Sequence, residues 1–394
     1  MIYSELCGHK VSRLGFGTMR LPLLADRKTI DRAETERMID YAIANGVNYF
    51  DTAAPYHEGL SEVVTGEILS KYPRESYYLA TKYPGHQIAK SYNPAECFEG
   101  QLKKCGVDYF DFYLLHNVNL RCYDVYTDSK WGILDYFKEQ KRLGRIKHLG
   151  FSTHADADII EKFLDYADGA MEFCQIQMNY LDWTMQNAKE KYELLKERNI
   201  PMVIMESVRG GALANLPAEQ DARLKAIDPE SSAASWGYRW LTQFDNVKVI
   251  LSGLSNYDQT LDNVKTFNEA KPLSERDNEL LFDIAEHLKD SIPCTGCRYC
   301  CDGCPMGLDI PKLIAKYNDY RVSPSFNVSM YVDALPENKK PSACIACGKC
   351  VRSCPQNINV PEHLKAFTEE MKKHVGWDEI CKQREAIAEA QKKC

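Results

Sequence analysis

The chain has 394 residues, 49 basic and 56 acidic, with a formal charge of −7 and 44% apolar content. This composition belongs to a folded globular chain, and no apolar run approaches the roughly 20 residues of a membrane helix. The acidic balance without a long basic cluster argues against a nucleic-acid groove, the start Met1-Ile2-Tyr3-Ser4-Glu5 has no visible secretory signal, and a long cysteine-poor body before a short cysteine-dense tail predicts a cytoplasmic protein with metal sites at its end.

The opening Ile2 to Val11, with a Gly8-His9 turn, reads as a small hairpin. Short apolar runs rich in Val, Ile, Phe and Tyr then recur as strand candidates: Leu14 to Thr18, Tyr49 to Asp51, Tyr77 to Thr81, Phe110 to Leu115, Ile146 to Phe151, Phe173 to Gln177, Met202 to Met205 and Val247 to Leu251. Amphipathic helices separate them. Met38, Ile39, Ala42 and Ile43 form one stripe that Gly46 stops, and Pro94 opens a helix that Gly106 ends. Strands alternating with helices predict a parallel α/β fold. A doubly wound sheet would want G-x-G-x-x-G after the first strand. Gly15-Phe16-Gly17 lacks the third glycine and no helix follows directly. A (β/α)8 TIM barrel is therefore expected over residues 1–270, its floor plugged by the hairpin. Residues 271–290 read as a helical connector, 291–370 as a smaller α-helical domain, and 371–394 as a charged helical tail carrying Cys381 and Cys394.

Cysteine is the informative residue. Of 16, only Cys7, Cys97, Cys105, Cys122 and Cys174 precede residue 290, without ligand spacing, and they read mostly as small buried apolar residues. The remainder crowd into a tail that repeats itself with an offset of 50 residues. Cys294, Cys297, Cys300, Cys304 and Pro305 match Cys344, Cys347, Cys350, Cys354 and Pro355, and Pro311 matches Pro361, each prolyl residue expected to open a helix. Both copies read C-x2-C-x2-C-x3-C-P, which lets one tight loop bring three thiolates to three corners of an iron–sulfur cube. A thiolate zinc site needs only four cysteines and leaves four over. The region from about Ser291 to Glu370 resembles the bacterial dicluster ferredoxin module. That resemblance implies two [4Fe-4S] clusters with exchanged fourth ligands: Cys294, Cys297, Cys300 and Cys354 for one, and Cys344, Cys347, Cys350 and Cys304 for the other. Cys301 offers a second choice beside Cys304 and is expected to be a neighbour rather than a ligand.

Barrel chemistry gathers at the C-terminal ends of strands. There the sequence places Asp51 and Tyr56, Lys82, and His116 at the ends of three successive strands. The set suits carbonyl reduction. Tyr56 would protonate the nascent alkoxide, a buried Lys82 ammonium would lower its pKa from the usual ~10, Asp51 would hold Lys82, and His116 would hydrogen-bond the substrate oxygen.

Gly46-Val47-Asn48-Tyr49-Phe50-Asp51-Thr52-Ala53, Tyr56, Ser61-Glu62, Lys82 and Leu114-Leu115-His116 make residues from about Gly15 to Asn268 resemble the aldo-keto reductases. The whole chain is similar to the branch of that family with a dicluster tail, found widely in anaerobes. The resemblance implies a catalytic tetrad of Asp51, Tyr56, Lys82 and His116, and NADP or NAD extended across the barrel mouth. Ser152 and Gln175 are then expected at the carboxamide. Ser207, Arg209 and Gly210 are expected at the pyrophosphate, Ser252, Gly253 and Ser255 at the adenosine phosphate, and Asn263 at adenine. Two departures stand out. Glu206 replaces an aromatic residue that stacks on nicotinamide in many members, and its charge would favour the oxidised ring. Asp258 and Gln259 stand where others bind the 2′-phosphate with a basic residue, so NADP against NAD stays open.

A hydride carries two electrons and a cubane cluster passes one, and no flavin motif is visible, though a flavin is left open. The expected function is therefore NAD(P)H-dependent reduction of a small aldehyde or ketone, with the clusters as electron carriers. The alternative is an electron-transfer protein that docks a ferredoxin or other redox partner on a retained barrel, and structural, oxygen-sensing clusters are a third arrangement left open. Arg121, Tyr123 and Tyr126 in the loop after the fourth strand, with Trp183 and His57, are candidates to line the substrate pocket. For Arg121 a solvated loop position is the competing reading.

Overall fold

Cys7 (φ 50°) and Gly8 (φ 83°) turn the chain between β1 (Tyr3–Leu6) and β2 (His9–Ser12), which pair antiparallel. Two successive positive φ values match the twist of a two-residue hairpin, and the turn sits one residue earlier than expected. The computed structural model describes residues 1–392 other than 290, 291, 293, 295, 355 and 357, with side chains as far as Ile387. Ser291, Pro355 and Cys394 thus lie outside the described residues.

The chain then lays down β3 (Leu14–Gly17), β4 (Tyr49–Asp51), β5 (Tyr78–Tyr83), β6 (Phe110–Leu115), β7 (Ile146–Thr153), β8 (Cys174–Gln177), β9 (Met202–Met205) and β10 (Val247–Gly253). Each pairs in parallel with the next, and β10 returns to β3, so the eight strands close a barrel. Buried on both faces, these strands read as continuous apolar runs. The interior packs Tyr49, Phe112, Phe173 and Val249 onto Leu6 and Val11, so the hairpin does plug the floor. Gly15 is required here: a Cβ would lie 2.6 Å from Val249 and 2.7 Å from Leu251.

Outer helices start and stop where the sequence provides for it. The Asp31 side chain accepts from Glu34 N–H at 3.0 Å at the head of helix Arg32–Ala44. Pro94 opens helix Pro94–Cys105, and Gly106 closes it at φ 64°. The connector helix Glu275–Leu288 begins with a capping box of Ser274 and Asp277. It buries Leu281, Ile284 and Ala285 in the same apolar cluster as the barrel's outer shell.

Beyond it lies a second, smaller core containing Ile314, Tyr317, Val328, Leu364 and Phe367. Its twofold character follows the sequence repeat. Helices Ile310–Val322 and Val360–Met371 are counterparts, with Tyr317 and Phe367 stacked at 5.0 Å, and Tyr299–Asp302 answers Lys349–Arg352. Pro311 and Pro361 sit one residue inside their helices, in the first turn, where a missing N–H is harmless. The last helix, Trp377–Lys392, turns back onto the barrel mouth, where Trp377 stacks on His86.

Candidate active site

Asp51 ends β4, Lys82 lies near the end of β5, His116 follows β6, and Tyr56 begins a short turn of helix after β4. The barrel brings them together. Lys82 Nζ donates to Asp51 Oδ1 at 2.6 Å and to the Thr52 carbonyl at 2.7 Å. It sits 5.1 Å from the Tyr56 ring centroid, and the Tyr56 and His116 rings meet edge-to-face at 6.0 Å. Lys82 is wholly buried and Asp51 nearly so. Burial pushes the Lys82 pKa down and the Asp51 pKa up, and the mutual attraction of the pair opposes both shifts.

The strand ends are braced from behind. Buried Glu62 accepts from Thr81 Oγ1 at 2.7 Å and from Gln101 Nε2 at 2.6 Å, and Gln101 also donates to the Lys82 carbonyl at 3.0 Å. Ser61 Oγ bonds Thr18 and Thr52. The Ser61-Glu62 pair thus supports the groups at the mouth without facing it.

One electrostatic expectation is corrected. Burial raises the Tyr56 pKa well above its ordinary value, and Asp51 and Glu206 add to the rise. The net direction is upward, so burial prevails over the lowering expected from Lys82. The phenol therefore stays protonated across the neutral range. His116 is pushed the other way, well below its ordinary value, by burial and by His86 and Lys82, and remains a neutral imidazole.

Tyr56, Asp51 and His116 line a cleft with about 2660 Å³ of empty space, open to solvent. Ser152, Gln175, Ser207, Arg209, Gly210, Ser252, Gly253, Ser255 and Asn263 line the same cleft, and Lys82 lies behind it. Several of these side chains already have partners. Ser207 Oγ donates to the Leu251 carbonyl at 2.7 Å, and Asn263 Nδ2 to Ser252 Oγ at 2.8 Å, which also meets the Tyr238 hydroxyl at 2.8 Å. Ser152 Oγ accepts from Asn117 N–H at 2.8 Å. Gln175 Oε1, Asn117 Oδ1 and His116 Nδ1 are buried without a partner among the described residues. A carboxamide, which offers both donors and an acceptor, fits that unpaired set.

Arg209 departs furthest from expectation. Its guanidinium is buried between Asp182 and Asp319, the latter on helix Ile310–Val322 of the second domain. A cation held by two carboxylates is already neutralised, so Arg209 fastens the two domains rather than standing free for a phosphate. Arg20 is the exposed cation at this end of the cleft, reaching to 3.1 Å from where a Cβ on Gly210 would stand and 3.2 Å from one on Gly253. Glu206 has a positive φ of 54°, and burial raises its pKa against the opposing pull of Arg20. Gln259 Oε1 accepts from Ser255 N–H at 2.9 Å, and Asp258 is exposed.

In the second domain the cysteines surround two hollows. One, with about 360 Å³ of empty space, is lined by Cys294, Cys297, Cys300 and Cys354. The other, with about 340 Å³, is lined by Cys304, Cys344, Cys347 and Cys350. Each hollow therefore takes three cysteines from one repeat and the fourth from the other. Four cysteine thiols around one hollow are the donor set that an iron–sulfur cluster takes. Cys301 lines neither hollow.

Residues 13–286 match the sequence profile of the Aldo/keto reductase family. The chain belongs to that family. A second profile, the 4Fe-4S dicluster domain, matches residues 293–359. This aldo/keto reductase is 26% identical over 325 residues to the NADH-specific methylglyoxal reductase of Escherichia coli, covering 71% of the chain and 96% of the relative. It is 24% identical to the NADPH-dependent alpha-keto amide reductase of Saccharomyces cerevisiae, over 78% and 92% of the two chains. Among solved structures, a holo aldo-keto reductase from Bacillus halodurans superposes with a TM-score of 0.59 at 24% identity, over 72% of this chain and 96% of that one, a likeness of fold.

Among the pocket candidates of this aldo/keto reductase, His57 lines the cleft, its Nε2 accepting from Leu21 N–H at 3.1 Å. Arg121 lines an adjoining cavity. Tyr126 is buried and donates to the His116 carbonyl at 2.6 Å, Tyr123 packs on Lys162, and Trp183 joins Trp240 and Phe244 in the outer shell. These three do not line the cleft. Sequence reasoning missed His86, His154 and Gln177, which also line it. Each stands at or just beyond a strand's C-terminal end, the signal that found His116. It also missed Trp377 and Arg384, which arrive from the far end of the chain.

Proposed function

We propose that this oxidoreductase reduces an aldehyde or ketone at the barrel mouth, with Tyr56 as proton donor and NADPH or NADH as reductant. The observation that carries this reading is the buried Asp51–Lys82 pair set beneath the Tyr56 ring at the base of a cleft with unpaired amide and imidazole atoms. The dinucleotide, when bound, supplies a hydride. Ser152, Gln175 and Asn117 would hold its carboxamide, and Arg20 with the Gly210 and Gly253 backbone would take phosphate.

The protein's own part is electrostatic and positional. Lys82, fixed by Asp51 and the Thr52 carbonyl, places a positive charge behind Tyr56 that favours the phenolate left after proton transfer. His116, neutral, offers a hydrogen bond to the substrate oxygen and helps fix it against the phenol. The raised Tyr56 pKa keeps the proton in place until a carbonyl oxygen gains charge.

In the second domain, Cys294, Cys297, Cys300 and Cys354 would hold one [4Fe-4S] cluster and Cys304, Cys344, Cys347 and Cys350 the other. Such clusters supply one-electron transfer, which suits exchange with a ferredoxin-like partner. Anaerobic titration separates the readings. NADPH or NADH quenching protein fluorescence, followed by oxidation on adding methylglyoxal, supports carbonyl reduction. Clusters reducible by dithionite without dinucleotide binding would replace it with the electron-transfer reading.

A further inference from the structure

Beyond His116 the cleft continues into a pocket partly open to solvent, with about 870 Å³ of empty space counting that opening, walled on one side by the barrel and on the other by the second domain. His86 marks the passage. Its ring lies 4.4 Å from that of His116 and stacks on Trp377 at 5.6 Å. The second domain and the terminal helix thus supply a wall that the barrel lacks.

The hydrogen-bonding capacity of this cavity is lopsided. Its carboxylates have partners: Asp156 takes Lys312, and Asp319 takes Arg209 and Gln186. Asp158 stands exposed at the rim. Arg121 spends Nη2 on Asp378 of the terminal helix, while its Nη1 is buried with no acceptor among the described residues. Among the described residues His86 Nδ1 is buried and unpaired as well, and the Lys316 ammonium lies over the Tyr331 ring at 5.0 Å, within electrostatic reach of Asp156. An unsatisfied buried guanidinium nitrogen is costly, and an anionic oxygen is the partner that satisfies it best.

We propose that this interdomain cavity holds the second functional group of the substrate, and that the group is a carboxylate bound by Arg121. The substrate class is then an oxo acid, its carbonyl at Tyr56 and His116 and its carboxylate beyond His86. This rests on the carbonyl-reductase reading above. The carboxylate takes no part in the bond changes and serves to anchor and orient.

The test compares succinic semialdehyde with its methyl ester in the intact, cluster-loaded enzyme, alongside calorimetric binding of butyrate, which has no carbonyl. The acid is expected to exceed the ester in kcat/KM by about tenfold or more, the scale of a charge-assisted hydrogen bond, with the difference mainly in KM. Arg121→Gln should abolish that preference and butyrate binding together. Asp378→Asn breaks the same ion pair and leaves Arg121 in place, so it should keep the preference. An ester turned over as well as the acid, or a preference lost equally in Asp378→Asn, overturns the proposal. Butyrate binding that depends on Arg121 in an enzyme reducing neither aldehyde would leave the pocket standing and overturn the carbonyl reading instead.

Discussion

In the barrel, Lys82 and Asp51 are buried at the ends of strands whose neighbours are Tyr49, Leu79, Phe112 and Leu114, and Glu62 and Gln101 brace them from the rear. In the second domain the eight motif cysteines surround two hollows on loops and on the short helices Tyr299–Asp302 and Lys349–Arg352, over a separate core that includes Leu313, Ile314, Tyr317, Val360, Leu364 and Phe367. The first region places its reactive groups by apolar burial and close packing. The second has a smaller apolar core than the barrel, and small domains commonly gain stability from metal or covalent ties. The expectation is therefore that the barrel site keeps its shape without a cofactor and that the cysteine site loses its shape without clusters.

The largest expected effect tests the preformed site. Tyr56→Phe removes the proposed proton donor and leaves the ring, so carbonyl turnover should fall by about 10²- to 10⁴-fold while dinucleotide binding, read by fluorescence, is retained. Turnover that survived would remove Tyr56 from the chemistry.

Next in size is the dependent site. Cys354 belongs to the second repeat but lines the first hollow, so Cys354→Ser strikes both halves at once. We expect loss of iron and acid-labile sulfide, with cleavage beyond residue 290 by a trace of protease while the barrel stays intact. The cost should approach the whole stability of a small domain, roughly 5 kcal/mol. Unchanged cluster content would mean that the exchanged-ligand arrangement is wrong.

How far each region was legible in the sequence follows the same division. Asp51, Lys82 and His116 were readable because a barrel puts successive strand ends at one mouth, so local position implies spatial position. The two cysteine units were readable because the repeat carries its own spacing, whereas the exchange of Cys304 and Cys354 between them came from the resemblance to dicluster ferredoxins. Arg209 was misread, since its partner Asp319 lies on a helix of the other domain and no local pattern couples them. Trp377 was missed for that reason too: its neighbour His86 stands far from it along the chain. The downward shift expected for Tyr56 failed because burial, a property of the whole fold, outweighs the nearby ammonium.

A smaller effect probes the seam between the regions. Asp319→Asn deprives buried Arg209 of one of its two carboxylates, and removing one partner of a buried pair costs about 3–5 kcal/mol where no other partner compensates. Asp182 remains, so the loss should fall below that range. Hydrogen exchange in helix Ile310–Val322 should accelerate while the strands of the barrel stay protected. Equal acceleration in both regions would mean that they unfold as one unit and that the contrast drawn above does not hold.

The smallest effect is a pH dependence at the same seam. Burial, with Arg384 and His154 nearby, pushes His86 down to about 3 from its ordinary 6.5, so the docked protein holds it neutral. Once undocked, the imidazole takes up a proton below its ordinary pKa. Its contribution to docking is therefore fully present above about pH 6.5 and is lost as the pH falls toward 3, at no more than about 1.4 kcal/mol per pH unit. Between pH 7 and 5 the wild type should show progressive release of Trp377 fluorescence from its stacked environment. His86→Phe keeps an aromatic surface against Trp377 without the titrating nitrogen, and should flatten that slope. A variant with the wild-type slope would assign the pH dependence to His154 or to the carboxylates of the interface instead.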